Sequence, residues 1–338
     1  MIKYFILFLV LFLNSYPITN SITNTIKTNK ISKEKKALKR YTNFLKYGTF
    51  SQKIEVIKII SKNKNLSKLI KYTKQDFIKN EFFGINVLNS IETLKSKNDY
   101  DFLDIIVENK SNLINKSYFK LLKKSLSMIN SLKLEKYKKF LISLYKLKNN
   151  DIKIQCIKGI GIFKIKEYKE KIKKLFKVTE NVYVKSEIIK SVSKFAEEED
   201  INFLEKVIFS DLSSPINQWI SVVSLKTYIG SKKAENLLIK NLSMNDIEIK
   251  SRALYALSFF NNKKIYKLLL EYTQNDSPRL RYFAVKGLEN YNTDEVNNIL
   301  QFKYHNDGEI KIKNLAKKIL VERKIIKVEK KKDGTTNK

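Results

Sequence analysis

Residues 152–160 read IKIQCIKGI, and the same nine-letter phrase returns at 184–192 (VKSEIIKSV), 249–257 (IKSRALYAL), 280–288 (LRYFAVKGL) and 312–320 (IKNLAKKIL). Each version begins with an apolar letter followed by a basic one. Its fifth letter is small or apolar, and its ninth is Leu, Ile or Val. The phrases are one or two periods of about 32 residues apart. A fixed period of this size marks a solenoid: one unit cannot bury its own apolar face, so neighbours must stack.

With the fifth letter as anchor, the register extends over the chain as Val56, Val87, Leu122, Cys156, Ile188, Ser221, Ala253, Ala284 and Ala316. The steps are 31, 35, 34, 32, 33, 32, 31 and 32 residues. Four residues after each anchor stands Ile60, Ile91, Leu126, Ile160, Val192, Leu225, Leu257, Leu288 or Leu320, never a polar residue. Apolar letters at −4, 0, +1 and +4 follow helical spacing and define one stripe, here named helix B. Upstream lies a second amphipathic run, helix A, at 166–178, 200–210, 232–242, 263–273 and 294–303. No window alternates as a strand. The first three units match least well.

Pro215 and Pro278 each sit six residues before an anchor, and each follows a serine, Ser214 or Ser277. Proline suits the first helical position, and serine before it is a natural N-cap. The expected class is therefore all-α, an α-solenoid of about nine helical hairpins.

The stretch Asp276-Ser277-Pro278-Arg279-Leu280-Arg281 with Ala284 and Leu288, and Asp246, Lys250, Ala253 and Leu257 in the unit before, resemble the HEAT-repeat superfamily. The units are similar to the short ones of bilin-lyase-type HEAT proteins. The resemblance spans roughly 36–321 and is strongest after about 150. It implies A helices on the convex side, B helices lining the concave side, and a binding scaffold; it carries no lyase activity to any residue here.

The N-terminus reads as a bacterial export signal. Lys3 precedes an apolar run at 4–13, which Asn14, Ser15 and Pro17 break, and Thr19 and Ser21 offer a small-residue cleavage site. Ten apolar residues fit a signal peptide better than a spanning helix, which needs about 20. The expected organisation is signal peptide 1–21, polar linker 22–35, solenoid 36–321 and disordered basic tail 322–338. The expected location is the periplasm, with an uncleaved membrane anchor as the alternative.

Net charge is +33, which favours an anionic partner. Only five of the 67 basic residues are arginine, at 40, 252, 279, 281 and 323. Nucleic-acid readers lean on the planar arginine fork, so nucleic acid is not the expected partner. A protein partner of acidic character, an anionic lipid surface or a cell-wall polymer remain.

Catalytic constellations are wanting. His305 is the one histidine, whereas zinc hydrolase helices and the di-metal hydroxylases built on HEAT repeats need several. It falls between helices A and B of the last unit, as a loop or capping residue. Cys156 sits at an anchor, a packing position. Gly159-Ile160-Gly161 lacks a preceding strand and a following Gly-Lys, so it marks a helix end rather than a phosphate cradle. The run Glu197 to Asp200 suits the start of a helix better than a cation site. No enzyme activity, catalytic residue, metal, cofactor or small-molecule substrate is expected, and an enzyme of unknown class is the second alternative to a scaffold.

Helical angles locate a binding face. At about 100° per residue, the +2 letter lies about 200° from the anchor, opposite the buried stripe. That column reads Lys58, Asn89, Lys124, Lys158, Lys190, Val223, Tyr255, Lys286 and Lys318. It is either a solvated face or a basic groove for an acidic partner. Trp219, the chain's one tryptophan, lies four residues before Val223. It either forms a hot spot beside Val223 or packs on the next helix. The −3 column (Lys53, Lys153, Lys185, Lys250, Arg281, Lys313) flanks the stripe and is expected to stitch neighbouring units.

Overall fold

The structure, a computed structural model, describes residues 35–327. Among them every regular element is helical, and they form nine successive helical hairpins. The signal-peptide and linker expectations lie outside the described residues apart from residue 35, as does the tail from 328 on. Among the described residues no helix is long and apolar enough to cross a membrane.

The chain divides into two compact units, with the boundary in sequence between Leu132 and Lys133. The first holds three hairpins. Helix α1 (35–47) pairs with α2 (Phe50–Lys62), and a run of 3-10 turns (Lys64–Thr73) pairs with α3 (Glu81–Leu94). Helices α4 (Asp101–Glu108) and α5 (Lys110–Asn115) then pair with α6 (Phe119–Ser131). In the second and third of these hairpins helix A is replaced by 3-10 turns or broken in two, within the unit where the repeat phrase matched least.

The second unit holds six. Its pairs are α7 (Lys138–Leu144) with α8 (Asn150–Ile162), α9 (Lys166–Val178) with α10 (Val182–Ser193), and α11 (Asp200–Ile208) with α12 (Pro215–Ser224). Then come α13 (Lys232–Asn241) with α14 (Ile247–Leu257), α15 (Lys263–Tyr272) with α16 (Pro278–Gly287), and α17 (Asp294–Asn306) with α18 (Ile310–Glu322). The B helices of successive hairpins pack directly on one another, α8 on α10, α10 on α12, and onward to α18.

The seam between them is made by the anchors. All nine anchors are buried, Val56 at 3% exposure and the other eight at 0%, and every +4 residue is buried too. Each such side chain removed from water contributes about 1.5–3 kcal/mol for the larger aliphatics. The polar anchor Ser221 survives burial because its hydroxyl donates to Asn217 O at 2.9 Å, while Ser186 donates to Asn217 Oδ1 at 2.9 Å. Cys156 packs at its anchor, and burial pushes its thiol up to about 12.

Caps follow local chemistry. Asn149, Asn181, Ser214 and Asp246 accept backbone N–H groups at the starts of α8, α10, α12 and α14. Ser277 departs from expectation: it precedes Pro278 at the start of α16 but makes no side-chain cap, and its N–H donates to Asn275 Oδ1 at 3.0 Å. His305 is not between helices but in the last turn of α17, which runs three residues further than the periodicity suggested. Gly159 and Gly161 lie inside the last turn of α8 rather than past its end. The left-handed residue that closes α8 is Lys164, φ 48°. Gly161 serves contact instead: a Cβ there would sit 2.7 Å from Ser191 Cα on α10.

The acidic run is an internal ion cluster. Asp200 is fully buried at the start of α11, and Lys173 of α9 pairs with it. Lys169 reaches Glu197, Glu199 and Asp200. Burial alone would lower the Lys169 pKa, but bonds from Glu197 and Glu199 and the charge of Asp200 raise it well above the usual lysine value. In the −3 column, Lys53 pairs with Asp76 and Arg281 with Asp307, each in the following hairpin. Lys313 donates to His305 O at 3.0 Å and Lys185 lies over Phe176, both inside their own hairpins.

Candidate interaction groove on the B-helix face

None of the nine +2 residues is buried, which is what an angle opposite the stripe requires. Their surroundings differ between the two units. In the first, Lys58 pairs with Glu55 at 2.9 Å, and Lys124 is bound by Glu92, which also accepts from Ser131 at 2.9 Å. Burial raises the Glu92 pKa, and the bonds from Lys124 and Ser131 outweigh it and hold the carboxyl below its usual range. These two lysines carry their own counter-charges.

In the second unit Lys158 (α8), Lys190 (α10), Val223 and Trp219 (both α12) converge on one open groove of about 640 Å³. The groove also draws in residues the column missed: Glu187, Lys194, Lys226 and Arg252. They occupy −1, +5 and +6, which at about 100° per residue lie within some 60° of +2. A search of the neighbouring columns would have found them. Ile216, Ile220 and Val223 supply apolar lining.

Trp219 is half-buried and packs against the apolar core, with the Arg252 guanidinium of the next B helix 5.0 Å from its ring centroid. Trp219 therefore packs toward α14 through Arg252 and also lines the groove beside Val223. Its indole Nε1 is buried without a hydrogen-bond partner. Arg252 is steered over the ring by Glu248 at 3.2 Å, which also binds Arg279. Burial lowers the Lys194 pKa, and repulsion from Lys158 and Lys190 adds to it against the pull of Glu187. Burial likewise raises Glu187, against those three lysines.

Beyond Trp219 the face becomes a ladder of rings and cations. Tyr255 lies between Lys226 and Lys286, whose Nζ atoms stand 5.1 and 5.0 Å from its centroid. Its ring meets Phe259 edge-on at 5.2 Å and Phe283 at 6.4 Å. Lys286 and Lys318 line a second groove of about 780 Å³ between α16 and α18, with Tyr282, Phe283 and Arg279. Such cation–ring contacts contribute about 0.5–1 kcal/mol each where exposed.

Among the described residues no group of three or more His, Cys, Asp and Glu could hold a metal ion. No family model matches the chain, and no curated protein matches it. Among the solved structures similar to it are a human hydroxylase and an engineered protein. One is human deoxyhypusine hydroxylase in complex with glycerol, with 11% identity and a TM-score of 0.31 over 81% of this chain and 97% of that one. The other is an engineered protein, with 12% identity and a TM-score of 0.45 over 85% of this chain and 88% of that one.

Proposed function

We propose that this chain is a non-enzymatic scaffold of the bacterial envelope, of the HEAT-like kind and close to the short bilin-lyase-type units, that holds an acidic protein partner on its B-helix face. One observation carries the reading. Lys158, Lys190, Lys194, Lys226 and Arg252 crowd one groove whose lining carboxylate is Glu187, beside an apolar floor that includes Trp219. Interfaces of this make-up, an aromatic anchor with arginine over it and cations at the rim, concentrate binding energy at the ring. The periplasmic placement rests on the apolar run 4–13 after Lys3.

In-cell crosslinking followed by affinity capture tests it. Trp219→Ala with Lys190→Glu should reduce recovery of the captured partner at least tenfold, and unchanged recovery refutes the groove. A second reading, docking on anionic lipid or wall polymer, is favoured by exposed apolar residues where A helices turn into B helices. Val178 is 78% exposed, Tyr183 71%, Leu212 94% and Ile310 64%. Co-sedimentation with anionic liposomes that falls steeply with salt supports that reading, and no sedimentation removes it.

A further inference from the structure

Resting on the groove as a docking site for protein, we infer that its occupant is an acidic segment in polyproline II conformation. Its carboxylates recur every third residue at both ends, with apolar side chains at its centre. Packed helices lie about 8–10 Å apart, and each B helix presents its +2 residue once, so the docking points repeat at that interval. A polyproline II chain has three residues per turn and rises about 3.1 Å per residue, returning a side chain to the same face about every 9.3 Å. A β-strand returns one about every 6.8 Å and turns the third residue away. An α-helix returns one about every 5.4 Å. Only the first matches the ladder.

The order of docking points gives the rest of the pattern. Among the described residues Lys158 and Lys190 share one opposing carboxylate, Glu187, with Lys194, and so have charge left for carboxylates from outside, unlike Lys58 and Lys124 with their own glutamates. The next two positions are Val223, beside Trp219, and Tyr255, packed among Phe259 and Phe283. The last two are Lys286 and Lys318, and Lys318 has only an exposed contact with Glu322 at 3.7 Å to exchange. Exposed pairs of that kind are worth little and exchange readily. The column thus reads cation, cation, apolar, aromatic, cation, cation across six hairpins. A flat lipid surface cannot follow the row of +2 residues into the groove, and a nucleic acid strand, which would meet Arg252 and Lys226 at the middle steps, is the competitor that displacement by polyuridylate tests.

Fluorescence anisotropy with synthetic peptides tests the register. The probe is a fluorescein-labelled peptide of two Glu-Pro-Ala triplets, two Leu-Pro-Ala triplets and two more Glu-Pro-Ala triplets. A control of the same composition has its glutamates adjacent, and a third peptide has lysine for glutamate. The register peptide should bind the full chain about tenfold tighter than the clustered one, four exposed ion pairs being at stake. Lys158→Glu with Lys190→Glu should lose that tenfold and gain affinity for the lysine peptide, which also shows that the variant is folded. Equal binding of both acidic peptides, lost together in the double variant, overturns the spacing while the groove reading stands. A cell partner captured in a Trp219-dependent way while no peptide binds also overturns the inference alone. Displacement of the register peptide by polyuridylate at lower concentration than by its unlabelled self overturns a protein occupant.

Discussion

Gly161→Ala sets two well-known effects against each other, and the structure decides which wins. Glycine inside a helix is about 0.5–1 kcal/mol worse than alanine, so propensity alone forecasts a gain. The added Cβ, however, would lie 2.7 Å from Ser191 Cα, 2.8 Å from Ser191 Cβ and 2.9 Å from Ser191 O. Two of those are backbone atoms of α10, and no side-chain rotation relieves them. Relief requires α8 and α10 to move apart, and overpacking of this kind costs about 1–3 kcal/mol. The balance is a net loss of about 1–2 kcal/mol. Urea unfolding followed by far-ultraviolet circular dichroism should show it as a midpoint lowered by about 0.5–1 M, given a urea dependence of about 1–3 kcal/mol per M. Two further glycines calibrate the result. At Gly287 the nearest atoms are Leu269 Cδ2 at 2.9 Å and Ser258 Cβ at 3.0 Å, and the leucine tip can swing away, so alanine there should cost less. At Gly308 nothing lies within 4 Å, and alanine should change little. Gly161→Ala as stable as the parent chain, or less harmful than Gly287→Ala, refutes the reasoning. Because Lys158 and Lys190 ride on the same two helices, the variant should also weaken partner capture.

Three other outcomes are expected. Burial raises the Asp307 pKa, but Arg281, the Glu309 N–H and Lys303 outweigh it and hold the carboxyl below its ordinary 3.8; its contribution is therefore full above that value and lost as pH falls through the lower folded one. Thermal melts should show Asp307→Asn flattening the acid-side fall in stability, and an unchanged slope refutes the assignment. Asp200→Asn leaves Lys173 and Lys169 without the buried charge they share, and breaking a buried pair costs about 3–5 kcal/mol; a urea midpoint within error of the parent's would contradict the cluster. Cys156, with its thiol pushed up to about 12 by burial, should resist iodoacetamide at pH 8 in the native chain and react once urea unfolds it, and native-state labelling at the unfolded rate would show the anchor to be exposed.

The sequence was most legible where one physical requirement recurs at every unit. Burial of one stripe per hairpin is such a requirement, so Ser221, Ala253, Ala284 and Ala316 could be placed in the seam from spacing alone, and all are buried. Five of the six A helices of the second unit were also readable, with α9 spanning Lys166–Val178 as the periodicity predicts, whereas the short α7 (Lys138–Leu144) was not. Helix ends were less so. Five units close with a left-handed residue eight positions after the anchor: Lys95, Lys164, Ala196, Asn261 and Lys324, φ between 47° and 60°. None is glycine, so the usual mark of that conformation was absent, and the tertiary stack imposes what local preference disfavours. The groove was half legible. Its +2 residues follow from angle, whereas Glu187, Lys194, Lys226 and Arg252 enter from three different columns, and only the packing of four B helices brings them to one place.

The charge of the chain also needs the structure before it means anything. A net +33 suggests an anionic partner everywhere, yet many of the basic groups are spoken for. Lys53, Lys169, Lys173, Lys303 and Arg281 hold the stack together through Asp76, Asp200 and Asp307. Arg323 is consumed by the carbonyls of Leu288, Glu289 and Tyr291. Lys58 and Lys124 carry their own glutamates. What is left concentrated in one place is the group around Trp219, where burial and mutual repulsion already depress Lys194 and one half-buried carboxylate, Glu187, opposes them. A carboxylate arriving from outside relieves that repulsion; a cation arriving there deepens it. On the proposed reading the groove would discriminate by sign through its own internal imbalance, not through the excess spread over the rest of the surface. Salt should weaken the register peptide through the exposed Lys190 and Lys318, whereas the half-buried Lys194, Glu187 and Arg252 are screened much less, so the preference for acidic over basic peptide should persist. Loss of that preference between 50 and 300 mM sodium chloride would refute the argument.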